Sequence, residues 1–173
     1  MNLKETIRII PDFPKPGIQF IDITTLLKDG KALGQAFDEL AALVGHLEVD
    51  LLVGPEARGF LIGAPLAYKM GAGFVPVRKS GKLPGEVIEA SYQLEYGMDT
   101  LQIHKDAISP GTRVLVVDDL LATGGTVWSA AELVRSLGGE IVGFAFLVEL
   151  TFLQGRDKLG GYPVYSLLEY DSE

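Results

Sequence analysis

The sequence predicts an α/β fold, a parallel sheet flanked by helices, on three observations. Four short apolar runs are spread along the chain, at residues 50–54 (DLLVG), 73–77 (GFVPV), 113–118 (RVLVVD) and 141–150 (IVGFAFLVEL). Their length and their Val, Phe and Leu content read as strands buried on both faces. Segments with apolar residues at helical spacing separate them, and strands alternating with helices in this way pair in parallel with helices on both faces.

The elements follow in chain order. Residues 11–17 (PDFPKPG) hold too much proline for a helix or a central strand. Leu33, Phe37, Leu40, Ala41, Val44 and Leu47 form a helical stripe, with Asp29 placed to cap it. The run at 50–54 closes on Gly-Pro, and residues 60–70 read as a helix leading into the run at 73–77. A basic loop punctuated by Gly and Pro follows at 78–85 (RKSGKLPG). Residues 86–105 differ in pattern. Leu101 and Ile103 alternate with Thr100, Gln102 and His104, the mark of a half-exposed strand. With residues 87–96 before it and Gly97 at the turn, this is an antiparallel hairpin expected to lie outside the core of the sheet. Residues 79–92 are long enough for a mobile lid. Val127, Ala130, Ala131, Val134 and Leu137 make one apolar stripe, which Gly138 and Gly139 stop. Trp128 reads as packing, and His46 and His104, without partners at ligand spacing, as surface residues. No repeat or linker divides the 173 residues, which suit a single domain.

Composition narrows the function. Apolar residues make up 47% and charged residues 22%, a globular balance rather than a disordered one. With no cysteine, disulfides and thiolate metal sites are excluded. A net charge of -8 disfavours nucleic acid as a partner. Any phosphate must then be held by a few local cations, a metal ion or backbone N–H groups. The start MNLKETIRIIPDF lacks the apolar core of a signal peptide, and no run approaches a membrane span. The expected setting is the cytoplasm, with no membrane partner.

The strongest local signal is VLVVDDLLATGGT, residues 114–126. A buried strand ends in Asp118 and Asp119, then a small-residue loop leads into a helix. Adjacent carboxylates repel and need sugar hydroxyls, a magnesium ion or cations as partners. Ala122, Thr123, Gly124, Gly125 and Thr126 allow an anion close to the backbone, at a helix start whose N–H groups and dipole favour negative charge. The strand's carboxyl end is where open α/β sheets bind ligands. No Gly-Lys-Ser/Thr follows, so this is not a Walker loop. Gly124→Val is expected to damage binding far more than folding.

This block resembles the phosphoribosyl-pyrophosphate (PRPP) motif of the type I phosphoribosyltransferases, in the form of their adenine-specific branch. DFPKPGIQF (12–20), GPEARGFLIG (54–63), PVRKSGKLPG (76–85) and LEYG (94–97) resemble further blocks of that branch, in the same order. The resemblance implies that family's fold: a parallel sheet flanked by helices, an N-terminal hood at about 1–30, and a flexible loop and antiparallel hairpin at about 79–105. It implies transfer of phosphoribose from PRPP to adenine, giving AMP and pyrophosphate, with Mg2+ bridging mainly substrate oxygens and water, in a homodimer. Asp118, Asp119 and residues 122–126 would take the ribose and 5′-phosphate. Glu56, Ala57 and Arg58 would turn sharply towards pyrophosphate, with a cis peptide between Glu56 and Ala57. Arg78, Lys79 and Lys82 would add pyrophosphate contacts, some across the dimer. Phe20 would stack on adenine, the Gln19 backbone would read its edge, and Leu120 would form the opposite wall. Glu95 would face the purine and Tyr96 the reaction centre. Relatives often carry Lys or Arg where this chain has Ile21, so one basic contact to the base is missing.

Two other functions fit parts of the pattern. A hypoxanthine or xanthine transferase would need the hood to present a donor to a 6-oxo group. A PRPP- or purine-sensing regulator would not need Glu95 or the basic loop.

Overall fold

The computed structural model describes residues 1–93 and 97–172. Its centre is a seven-stranded sheet. The strands are β3 (Leu51–Pro55), β4 (Gly73–Lys79), β5 (Val87–Gln93), β6 (Met98–His104), β7 (Arg113–Leu121), β8 (Glu140–Leu150) and β9 (Val164–Tyr170), in the spatial order β5-β6-β4-β3-β7-β8-β9. From β4 to β9 neighbouring strands run parallel. A separate antiparallel ribbon pairs β1 (Arg8–Ile10) with β2 (Phe20–Asp22).

Side chains alternate across the two faces of a strand, and each face has its own helices. Leu52, Leu115 and Val117 point to the face covered by α1 (Thr24–Lys28), α2 (Gly30–Val44) and α3 (Arg58–Met70), where they meet Leu26, Leu40 and Ile62. Val53, Val114 and Val116 point the other way, onto Val127, Ala130 and Val134 of α4 (Gly125–Ser136). Each fully buried Val or Leu contributes about 1.5–3 kcal/mol, so stability concentrates around β3 and β7. The cap foreseen for α2 is present: the Asp29 carboxylate accepts from the N–H groups of Lys31 and Ala32 at 2.9 and 3.1 Å, a contact typically worth about 1 kcal/mol.

The antiparallel hairpin lies at the edge of the sheet, beyond its parallel core. It extends it: β6 pairs antiparallel with β4, Arg78 opposite Gln102 and Lys79 opposite Leu101. The pattern read as half-exposed misleads because Gln102 is itself buried. Its amide donates to Glu89 Oε2 at 3.0 Å and its oxygen accepts from the Gly81 N–H at 3.2 Å. Leu101 and Ile103 on the opposite face belong to the core around α4. The lid expected over 79–92 shortens accordingly, since β4 runs through Lys79 and β5 starts at Val87. Strand β9 was not foreseen.

Pro11 to Gly17 form the loop of the β1–β2 ribbon, with the Phe13–Pro14 peptide cis. Arg8 forms an ion pair with Asp22. Asp22 also accepts from the Thr24 hydroxyl and N–H at 2.6 and 3.0 Å. Those Thr24 bonds and the Arg8 contact hold its carboxyl down at about 2. The ribbon is thereby tied to the start of α1. No helix among the described residues is long and apolar enough to cross a membrane.

Candidate active site

Strand β7 lies between β3 and β8, so its carboxyl end opens where the loops after three strands converge. Asp118 and Asp119 sit there. Asp119 is buried and pairs with Arg58, whose Nε lies 3.0 Å from Oδ2. Asp118 Oδ1 accepts the Asp119 N–H at 2.8 Å. It also lies against the first turn of α3, where a Cβ on Gly59 would come within 3.1 Å of it. Burial pushes the Asp118 carboxyl well above the ordinary carboxylate range, and the Asp119 charge pushes it further. Two carboxylates so placed call for hydroxyl donors or a cation.

Leu120 and residues 122–126 line a recess of about 90 Å³ beside Asp118. Gly124 begins α4 with φ 89°, a conformation that favours glycine. A Cβ there would also lie 2.8 Å from the Gly155 carbonyl oxygen. The expectation that Gly124→Val damages binding far more than folding therefore gives way to a cost on both. The left-handed backbone alone costs about 1–2 kcal/mol, before the clash. At Gly125 a Cβ meets nothing within 4 Å. Thermal unfolding should show Gly124→Val losing about 2–4 °C per kcal/mol, with Gly125→Val near the wild-type Tm. PRPP titration should show Gly125→Val binding about 10–100-fold more weakly, the worth of one hydrogen bond to a charged group.

The turn after β3 brings in the cations. The Glu56–Ala57 peptide is cis, as the resemblance implied. Glu56 accepts from Arg78 Nε at 3.2 Å and from the Lys79 N–H at 2.7 Å. The Arg58 guanidinium lies over the Phe20 ring, 5.5 Å from its centroid, and Phe13 meets the same ring edge-on at 5.1 Å. This turn thus joins the hood, the basic strand end and the two aspartates. Lys82 lies exposed in the 80–86 connection. Glu95 and Tyr96 lie outside the described residues.

Under the ribbon is an apolar cavity of about 370 Å³, lined by Gln19 and Ile21 from the hood and by Leu150, Phe152, Leu153 and Tyr170 from the ends of β8 and β9. Of these residues, sequence reasoning singled out Gln19 and Ile21. Phe20 faces Arg58 and Leu120 lies beside the phosphate recess, so neither lines this cavity. Ile21 is buried and forms part of its wall, so the position where relatives often carry a cation is apolar here.

A phosphate-sized loop at a helix start, twin acids at the strand end and cations on the next turn define a phosphoribosyl transferase site. The model of the phosphoribosyl transferase domain matches residues 24–163. The adenine phosphoribosyltransferase of Clostridium botulinum (strain Alaska E43) is 62% identical over 171 residues, covering 99% of each chain. That of Brevibacillus brevis is 58% identical, covering 98% of this chain and all of its own. The crystal structure of adenine phosphoribosyltransferase from Thermoanaerobacter pseudethanolicus matches with a TM-score of 0.94 at 58% identity, over 97% of this chain and 98% of that one. The Saccharomyces cerevisiae enzyme, in complex with an imino-altritol bisphosphate and adenine, matches with 0.88 at 44% identity, over 96% of each. The chain belongs to the adenine phosphoribosyltransferase family, the purine-salvage enzymes that form AMP from adenine and PRPP.

Proposed function

We propose that this chain joins adenine to PRPP, releasing pyrophosphate, with its residues in the following roles. The carrying observation is the convergence of the 122–126 recess, the Asp118–Asp119 pair and Arg58 at one strand end. The 5′-phosphate sits in the recess on backbone N–H groups of Gly124, Gly125 and Thr126, aided by the hydroxyls of Thr123 and Thr126. The ribose hydroxyls donate to Asp118 and Asp119. Pyrophosphate leaves towards Arg58, Arg78, Lys79 and Lys82, beside the turn at Glu56 and Ala57.

Adenine stacks on Phe20, whose ring faces Arg58, with the Gln19 backbone at its edge and Leu120, beside the phosphate recess, as the opposite wall. Apolar walls with a few backbone donors and acceptors suit a flat base with one polar edge. As N9 bonds to C1′, the base must lose its N7 proton, and the Glu95 carboxylate takes it. Tyr96 stands next to it at the reaction centre. An early break of the C1′–oxygen bond leaves a carbocation that water would intercept, so transfer requires water to be kept from C1′.

Mg2+ fits this donor set. Among the described residues no group of three or more His or acidic side chains forms a cage for it. Asp118 is nonetheless a carboxyl whose charge is unfavourable as it stands. Held mainly by substrate oxygens and water, Mg2+ would supply neutralising charge to the leaving pyrophosphate.

A homodimer is supported by α3. Leu61 and Tyr68 on its outer face are 48% and 90% exposed, with Ala64 and Pro65 exposed between them at helical spacing. A stripe of this kind marks an interaction surface. We place the protein in the cytoplasm, where both substrates are soluble metabolites.

The deciding assay is AMP formation from adenine plus PRPP with and without Mg2+, run beside hypoxanthine and xanthine. The expected result is Mg2+-dependent AMP and little product from the 6-oxo purines. Equal turnover of hypoxanthine would overturn the adenine reading.

A further inference from the structure

Lys79, one of the cations proposed for pyrophosphate, already has a partner. Its Nζ lies 3.7 Å from Asp99 Oδ2. The pairing follows from the sheet: Lys79 stands opposite Leu101, and Asp99 is two residues along β6 on the same face. Directly across from Asp99 on β5 is Tyr92, whose hydroxyl donates to the same Oδ2 at 3.2 Å. The other carboxylate oxygen accepts the Thr100 N–H at 2.9 Å. The Tyr92 ring packs into the core around α4.

We propose that Asp99 is a resting partner for Lys79, tempered by the Tyr92 hydroxyl, and that this pair of positioning residues sets the affinity of the site for pyrophosphate. The inference rests on the roles given to the site above. Pyrophosphate is a product as well as part of a substrate, so a cation with no alternative partner would hold it too firmly. Asp99 competes for Lys79 and takes it back as pyrophosphate leaves. The Tyr92 hydroxyl shares the negative charge of Asp99 and limits that competition.

The two residues therefore act with opposite signs, which a common structural role would not produce. Asp99→Asn removes the competitor, so the chain should bind inorganic pyrophosphate with Mg2+ more tightly. Tyr92→Phe keeps the ring in its packing but leaves Asp99 to hold Lys79 more firmly, so binding should weaken. Lys79 and Asp99 are both partly exposed, and charge contacts of that kind are worth about two- to fivefold in affinity.

Calorimetric titration with inorganic pyrophosphate and Mg2+ tests this. The probe lacks the 5′-phosphate that Thr126 would bind. The Asp99→Asn gain should vanish in a Lys79→Met background. A gain that persists without Lys79, or an Asp99→Asn chain no tighter than wild type, overturns the proposal. If Tyr92→Phe lowers the Tm, the Asp99→Asn and Lys79→Met arms still decide. A wild-type chain that makes AMP but shows no Asp99→Asn gain refutes this inference alone. One that neither makes AMP nor binds pyrophosphate refutes the underlying roles, and this inference with them.

Discussion

Glu95→Gln is expected to lower kcat by about 10²–10⁴-fold, roughly 3–5 kcal/mol in the barrier, with PRPP affinity nearly unchanged. The amide preserves size and polarity but cannot accept the N7 proton usefully. Arg58→Ala should behave differently. It removes a charge facing the leaving group and strands the buried Asp119, so both PRPP binding and turnover should fall. Steady-state kinetics with direct PRPP titration on both variants separates the two. Full kcat in Glu95→Gln would remove Glu95 from the proton transfer.

Asp118→Asn should stabilise the free protein while disabling it. Its carboxyl titrates well above the ordinary value in the folded chain, through burial first and the Asp119 charge second. A raised carboxyl favours the folded state only when protonated. Its penalty is absent below the ordinary Asp pKa of about 3.9. The penalty grows as pH rises towards the folded value and is complete above it. Asparagine carries no such charge and can still accept the Asp119 N–H. Thermal unfolding should therefore show the variant above wild type at neutral pH, the two converging in acid. PRPP binding should weaken about 10–100-fold, the worth of a hydrogen bond to a charged group, about 1.5–3 kcal/mol. A variant destabilised at pH 7 would show that the carboxylate holds the fold rather than the ligand.

What the sequence made legible is mostly what is local. The strand ending in Asp118 and Asp119, the loop after it and the stripe of α4 are contiguous, so composition and spacing expose them. Asp29 as the cap of α2 is equally local. Strand β9 failed because it is an edge strand with nearly every residue half-buried, leaving no alternation to read. Strand β6 was read as half-exposed because Gln102 is buried by satisfying its amide, which looks like solvent exposure in a pattern of polar and apolar letters. The ribbon strands β1 and β2 are three residues each, too short for any period. The apolar cavity under the ribbon joins Leu150, Phe152 and Tyr170 to Gln19 and Ile21 only through the folded topology. Gly124 was seen as a ligand-facing glycine. Its contact with Gly155, some thirty positions on, is invisible in sequence.

Three of the four cations proposed for the leaving group share a feature. Arg58 rests on Asp119, Arg78 on Glu56 and Lys79 on Asp99. An acidic protein thus carries its own counter-ions at the one place where it must attract a polyanion. Loading PRPP is then an internal ion exchange, in which the incoming phosphates displace built-in carboxylates rather than chloride from the medium. Few dissolved ions are released in such a swap, so added salt has little mass-action leverage on it. The site can meet a highly charged metabolite with three cations and remain less sensitive to ionic strength than their number suggests.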